Sequence, residues 1–580
     1  MISNFSTYKV KIKNEKFVNQ KGFEFNSKAV IIFYDEYKSE VAYWELGFIN
    51  TKDIYKLIEE KKPINIDDCF IEDFNFYDYR KEKNIAREEK VEIVGFSAKN
   101  TIFEARTYND FSYLDFNCED LDFNGAMFIK GKVSFSNSKL ARQNNIFSNC
   151  YFGNGNVDFS NAEFGETKSS FKNTIFKTGH KNFQFVEFGK GEVNFVNTDF
   201  GDGDTAFINT NFDTGDVSFK VARFGNGKVD FHYSKFGEGK ISFEKVDFGD
   251  GYVNFKMVEF SKGRVNFIKT VFGNGDIDFE GCELPKGKLT MKKAFFGTGK
   301  LNFENVDFSN ADLIFDNTIF NTDLSLFKDS SFKSISFKSC HLDSYFDLRL
   351  RFCNFIDLSD TIVRDIIDMK PYKEQSSIKS FRFDGMRLLG SIHINWYKNN
   401  VKEIISSQEM TNEIKAEQFL ILKENFNNIG AYDFEDKAYI EFKRHEEKVI
   451  VSKQLKRKKY NFLWVYPTAW FRNLVFDKAG LYATDPIRVL LSMFISYTAF
   501  SLIFVFMAIL NMGGLSGSEG QNLISIIGDS FYFSAITYLT VGYGDFCPLG
   551  IDRWIAGIEG FVGVFLMAYF TVAFVRKILR

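Results

Sequence analysis

The sequence carries little charge of either sign in excess, with a formal net charge of -3 over 580 residues. That balance argues against a nucleic-acid-binding surface. The seven cysteines, at 69, 118, 150, 282, 340, 353 and 547, follow no metal or disulfide spacing. A reducing cytosol suits the first six. The opening residues, MISNFSTYKVKIK, lack the apolar core of a secretory signal. No Ser/His/Asp, Cys/His or metal-ligating set occurs at usable spacing, so neither an enzyme nor an organic cofactor is expected. There is no GxGxxG nucleotide fold and no arginine repeat of a voltage sensor. Proline is scarce, at 6 positions against 72 phenylalanines, and that combination points to a repeat.

The repeat is explicit. Phe152, Phe164, Phe176 and Phe188 begin a series with one fixed step that runs to Phe272. A second series with the same period begins at Phe159, Phe171 and Phe183 and runs to Phe279. Together they alternate steps of seven and five. Leu140, Leu284 and Met291 keep the apolar character where Phe is missing. Val157-Asp158-Phe159 and Val253-Asn254-Phe255 illustrate the centre of the five-step, and Phe224-Gly225-Asn226-Gly227 the glycine bulge of the seven-step. Steps of five around a small-polar-aromatic centre resemble the pentapeptide-repeat family. That resemblance implies a right-handed, quadrilateral β-helix over residues 101–398, here with a 12-residue half-coil and a 24-residue turn. The flank Phe332, Phe337, Leu342 keeps the family's spacing of five. A stack of antiparallel hairpins is the alternative fold. An insertion is expected near Arg351 to Ile378, followed by a closing patch of Phe381, Phe383, Leu388, Ile392 and Trp396. Residues 151–330 hold 26 acidic and 21 basic side chains, well mixed, as on a solvated surface. Gly201-Asp202-Gly203-Asp204 lacks the full spacing of a calcium-binding turn.

Residues 1–100 read as a small α/β cap that covers the open strand edge of the solenoid. Residues 399–460 read as a helical hairpin connector, with Ala416, Phe419, Leu420, Leu422 and Phe426 on one face and Ala438, Ile440, Phe442 and Val449 on the other helix. A basic run of Lys453, Lys456, Arg457, Lys458 and Lys459 ends it. Residues 461–486, with Trp464, Tyr466, Trp470 and Phe471, read as an interfacial helix on the membrane lipid.

Two long apolar runs remain, Ser492–Leu510 and Ile555–Val575, each long enough to cross ~30 Å of hydrocarbon. Between them lie an amphipathic piece, Asp529–Leu539, and Thr540-Val541-Gly542-Tyr543-Gly544-Asp545. Spanning helix, short helix, TVGYGD and spanning helix closely resemble the pore unit of two-span prokaryotic potassium channels. The resemblance implies a homotetrameric pore over residues 487–580. In it, K+ sheds its water for rings of carbonyl oxygens from Thr540, Val541, Gly542, Tyr543 and Gly544. The alternating backbone requires glycine where φ is positive. Asp545 would mark the outer mouth, near Cys547. Tyr532 and Phe533 would form an aromatic cuff behind the filter, with Glu559 supporting it from the second span; that Glu559 reaches the outer water is the other reading. Gly560 and Gly563 are hinge candidates, with close packing as the other reading, and Phe570 and Phe574 are constriction candidates.

Arg472, Lys478, Arg488, Arg576, Lys577 and Arg580 flank the spans. Glu519, Asp529, Asp545 and Asp552 lie between them against Arg553. That asymmetry puts both termini in the cytoplasm and the chain in the cell membrane. The expected function is a potassium channel gated or localised through its β-helix. An unidentified cytosolic protein or small ligand would then act on the β-helix or cap. The alternatives are a membrane-tethered scaffold that uses the pore as an oligomerising anchor, and a non-selective cation channel.

Overall fold

The computed structural model describes residues 5–19, 21–371, 378–457, 462–518 and 522–579. Lys458, Lys459, Glu519 and Arg580 lie outside them, as does the side chain of Arg457. The chain forms two compact units that divide after Ile404.

The first unit is a β-solenoid. Val133, Val157, Lys181, Thr205 and Val229 pair in parallel, each one full turn along the chain from the last. Asn145, Ser169, Val193 and Val217 make a second ladder. Isolated bridges continue two more, through Lys139, Glu163 and Glu187 and through Ile175, Asp199 and Arg223. One sheet stacks 14 strands, so the solenoid has about 14 turns. This parallel pairing excludes the antiparallel hairpin stack.

Each corner has a chemical cause. Asp158, Asn182 and Asn194 accept a hydrogen bond from the backbone N–H two residues on, at 3.0, 3.1 and 3.0 Å, which turns the chain. Asn149, Asn161 and Asn173 then take φ of +56°, +55° and +58°, a left-handed conformation that asparagine tolerates. Asn173 also donates to Asn149 at 3.1 Å, and Asn197 to Asn173 at 3.1 Å. Thr174, Thr198 and Thr210 turn inward and donate to the carbonyls of Phe147, Phe171 and Phe183 at 2.5, 2.8 and 2.6 Å. Their buried hydroxyls are thereby satisfied. The glycine bulge answers a close approach between turns. A Cβ on Gly251 would lie 2.0 Å from the carbonyl oxygen of Gly227.

The core consists of phenylalanine columns. Phe159, Phe183, Phe207 and Phe231 stack face to face with centroids 5.1, 4.9 and 4.8 Å apart. Phe171, Phe195 and Phe219 form a neighbouring column at 4.8 Å. Rings from the two columns meet edge to face, as Phe159 and Phe171 do at 5.5 Å and 89°.

The ends differ from the sequence reading. Rungs begin at Ile64–Asn65 and Cys69–Glu72, inside the stretch read as cap. The segment before them holds the antiparallel strands Thr7–Lys13, Ser27–Tyr34 and Glu40–Phe48 and helix α1 (Thr51–Glu59). Glu40–Phe48 pairs with Cys69–Glu72 and covers its free edge. Helix α2 (Phe76–Lys83) follows. Within the stretch read as an insertion, Phe352–Asp357, Ile362–Val363 and Ile366–Asp368 continue the ladders, and residues 372–377 lie outside the described residues. Ser331 pairs with Phe352 and His341 with Ile362, a shorter step along the chain than that from Val157 to Lys181. The glycine bulges have dropped out there, so the regular period fails while the turn persists. Phe381, Phe383, Ile392 and Trp396 are buried at this end.

Helix α3 (Val401–Ser407) leads to the second unit. Helices α4 (Asn412–Asn428) and α5 (Tyr432–Arg457) form its hairpin. Ala416, Phe419, Leu422 and Phe426 are buried, whereas Leu420 is exposed. Phe419 stacks on His445 at 5.6 Å, and His445 Nδ1 meets Asn412 Oδ1 at 2.9 Å. Burial pushes the His445 imidazole down to about 4, so it is neutral at physiological pH. Helix α6 (Phe462–Arg472) precedes a six-residue π-turn, Asn473–Lys478. Helices α7 (Pro486–Ile509) and α9 (Asp552–Ile578) are long and apolar enough to cross a membrane, and the shorter α8 (Leu523–Tyr538) lies between them in the chain.

Phe207 is fully buried between two stacked neighbours. Phe207→Ala should cost about 3–5 kcal/mol and lower the melting temperature of the solenoid transition. Lys240→Ala on the surface should stay within about 0.5 kcal/mol. Thermal unfolding of the purified full chain followed by circular dichroism measures both.

Candidate functional site

Asp485 caps α7 by accepting from Arg488 N at 3.1 Å, and Pro486 opens the helix. Side chains of α7 hold α8 in place. Tyr497 Oη donates to the carbonyl of Phe531 at 3.2 Å, and the hydroxyls of Ser496 and Tyr538 meet at 2.6 Å. Phe533 packs edge-on against Phe504 of α7 at 5.1 Å. It is therefore turned toward the first span, and within one chain the expected cuff is reduced to Tyr532.

The segment after α8 alternates in handedness. Thr540, Gly542 and Gly544 have φ of +56°, +56° and +81°. Amides of Val541 and Gly542 donate to the carbonyl of Ile536 at 2.8 and 3.3 Å, which ties the segment to the helix end. A Cβ added to Gly542 or Gly544 would meet no atom within 4 Å, so glycine serves backbone conformation here and not space. Val541 is 47% exposed and Tyr543 73% exposed. The Tyr532 ring contacts that of Phe546, next to Asp545, at 5.7 Å. Beyond it, Cys547–Gly550 pairs antiparallel with Gly513–Ser516, leaving Cys547 exposed on a short ribbon.

Glu559 of α9 is fully buried and accepts a hydrogen bond from Ser534 Oγ of α8. It does not reach the outer water. Its Oε2 has no hydrogen-bond partner among the described residues. Among those residues there is also no cluster of three or more His, Cys, Asp or Glu side chains that could hold a metal.

Residues 490–580 match a protein-family model described as "Ion channel". That segment is an ion-channel domain. Protein LctB of Bacillus caldotenax is 45% identical to the chain over 51 residues, which is 9% of this chain and 38% of that protein. Protein LctB of Geobacillus stearothermophilus is 47% identical over 51 residues, with the same shares. The chain thus spans well under half the length of these relatives. No solved structure matches the chain at a significant level.

Within the channel domain, α9 is continuous through Gly560 and Gly563. A Cβ on Gly563 would lie 2.0 Å from the carbonyl oxygen of Tyr538, at the end of α8. Gly563 is therefore a close-packing residue. Gly560 has more room, with Thr537 O at 3.8 Å from its Cβ position. Phe570 and Phe574 stack on each other at 5.8 Å, and Phe574 is exposed.

Several contacting residues carried no motif in the sequence. Asp436 of α5 pairs with Arg576 at 3.0 Å and Lys577 at 2.8 Å, at the end of α9. The Arg576 guanidinium also lies 4.5 Å from the centre of the Tyr439 ring. Arg444 of α5 grips Asp477 in the π-turn with two bonds of 3.0 and 2.8 Å, a bidentate geometry that fixes direction as well as distance. Leu481, Tyr482 and Ala483 follow with φ of +47°, +55° and +60°. Tyr569 Oη of α9 accepts from Ala483 N at 2.9 Å and donates to the carbonyl of Phe476 at 3.1 Å. The sequence marked the basic residues by charge alone. Their acidic partners on α5 are far away in the chain and left no local signal.

Gly563→Ala should push α9 off α8 and reduce ion flux several-fold, with a lower melting temperature. At Gly557, where an added Cβ meets nothing within 4 Å, Gly557→Ala should leave both unchanged. Vesicle flux and thermal unfolding of the two variants give the comparison.

Proposed function

We propose that four copies of the chain assemble around one axis in the cell membrane as a potassium-selective channel. K+ passes along carbonyl oxygens of Thr540, Val541, Gly542, Tyr543 and Gly544, with Asp545 at the outer mouth. The observation that carries this reading is the left-handed backbone at every second residue, Thr540, Gly542 and Gly544, at the C-terminal end of α8. Alternation aims successive carbonyls the same way, and the negative end of a helix dipole favours a cation. Val541 and Tyr543 are too exposed for a single chain, and a neighbouring copy would cover them. Trp464 and Trp470 on α6 are exposed, as lipid-facing interfacial aromatics would be. The charges of Arg472, Lys478, Arg488, Arg576 and Lys577 favour both termini in the cytoplasm.

Gating arrives through the connector. Helix α5 grips the end of α9 through Asp436 and the approach to α7 through Arg444. A change passed along the chain from the solenoid would act on both spans through one helix.

Purified protein in liposomes should pass K+ in strong preference to Na+, and Gly542→Asp should abolish the flux. Equal passage of both ions would refute selectivity. Asp436→Asn weakens the grip on Arg576 and Lys577 and should shift open probability at least several-fold without altering the K+/Na+ ratio. Single-channel recording separates the two quantities, and an unchanged open probability would remove α5 from the gate.

A further inference from the structure

One outward-facing ladder of the solenoid changes character along its length. Ile102, Met127, Tyr151 and Ile175 pair in register at the early turns. The sheet of Thr7–Lys13, Ser27–Tyr34 and Glu40–Phe48 packs on them, with Ile31, Phe33 and Leu46 in the contact. Ile102, Met127 and Tyr151 are buried in consequence. Beyond that sheet the ladder turns to charge, at Asp199, Arg223 and Asp247. It turns apolar again at Val271, Phe295 and Ile319. These three are 39%, 41% and 46% exposed. The first apolar stretch lies under a sheet, and the second has no cover among the described residues. Apolar side chains exposed in a row mark a contact surface.

Both edges of this second stretch are charged, with opposite sign. Lys245, Lys269 and Lys293 hold the corner before the ladder, with φ of +57°, +59° and +55°. The same corner is filled at earlier turns by Asn149, Asn173 and Asn197, which suit a left-handed backbone better. Lysine therefore stands there against the preference of the turn. None of the three makes an ion pair among the described residues. Glu244 and Asp316, on the same edge, are taken up by Lys220 and Lys292 at 3.1 and 2.8 Å. The corner after the ladder carries Asp250, Asp276 and Asp323, with Lys300 among them. Asp250 accepts from Asn274 N at 2.9 Å and Asp276 from Lys300 N at 2.8 Å. Neither carboxylate has an ion-pair partner among the described residues.

Lys245 and Asp250 belong to one turn, as do Lys269 and Asp276. A two-fold axis along the apolar stripe sets the lysine edge of one copy against the aspartate edge of another, turn for turn. It also sets each stripe residue against its own counterpart. Such a contact is self-complementary. It keeps both solenoids running the same way, as copies around one pore do.

We propose that the solenoids of the assembled channel pair through this face, so that a second copy of the chain covers Val271, Phe295 and Ile319. The stripe is small. The pairing therefore rests on the reading of several copies around one pore, which holds the solenoids at high effective concentration. The test is disulfide trapping on the purified full chain in liposomes, in a Cys547→Ser background that removes the exposed native thiol. Oxidation of Phe295→Cys should link chains in pairs. Glu259→Cys, on the exposed ladder half a turn away, should give several-fold less. Adding Lys269→Glu or Asp276→Lys to Phe295→Cys should cut the linked fraction several-fold, and adding both should restore it. Absence of the linked pair overturns the proposal, as does equal linkage from Glu259→Cys or a double reversal that stays unlinked. Wild-type flux is read beside it. K+ flux without linkage would remove the pairing and leave the channel, whereas linkage without flux would keep the pairing and remove potassium conduction.

Discussion

Backbone hydrogen bonds between residues one turn apart fix everything else in the solenoid. They set the rise per turn at one strand spacing, ~4.8 Å. Phenylalanines in one column are therefore held face to face at 4.8 to 5.1 Å, as from Phe159 to Phe231. Parallel rings at such centroid distances lie in the range that offset stacking favours. The edge-to-face contacts between columns, such as Phe159 on Phe171, add the second geometry that aromatic pairs favour. The two interleaved series with the same period supply both kinds of contact.

The channel unit depends on a different constraint, the close approach of α9 to α8. Gly563 admits the Tyr538 carbonyl, and the Glu559–Ser534 hydrogen bond places one buried carboxyl between the same two helices. These contacts position the end of α8, and with it the alternating backbone from Thr540 to Gly544. Helix α5 is tied to both spans by side chains with charge or a polar tip. A displacement of α5 therefore has two outlets, and they lie at the start of α7 and the end of α9.

Much of this was legible in the sequence because periodicity and motif are local. The regular phenylalanine series announced parallel turns, and TVGYGD between two apolar runs announced the ion-channel domain. Failures came where the signal was not local. The rungs from Ile64 to Ser97 carry too few phenylalanines to display the period, and by sequence they resemble the cap. The step along the chain shortens into Phe352 and Ile362 and lengthens from Ile356 to Phe381, so a pattern sought at the period of the central turns misses both. Lys181 sits at a ladder position that only the register identifies as interior. Phe533 and Gly563 could be assigned to a helix from sequence, but the neighbour each one faces follows from how α7, α8 and α9 pack.

The three left-handed residues Leu481, Tyr482 and Ala483 have a consequence of their own. None is glycine, and each such residue costs about 1–2 kcal/mol. Together they hold roughly 3–6 kcal/mol at the entrance to the first span. Reversing a two-state equilibrium from 1:99 to 99:1 takes about 5.5 kcal/mol. The strain held at the joint is thus comparable to that figure, and the bond from Ala483 N to the Tyr569 hydroxyl helps to hold it in place.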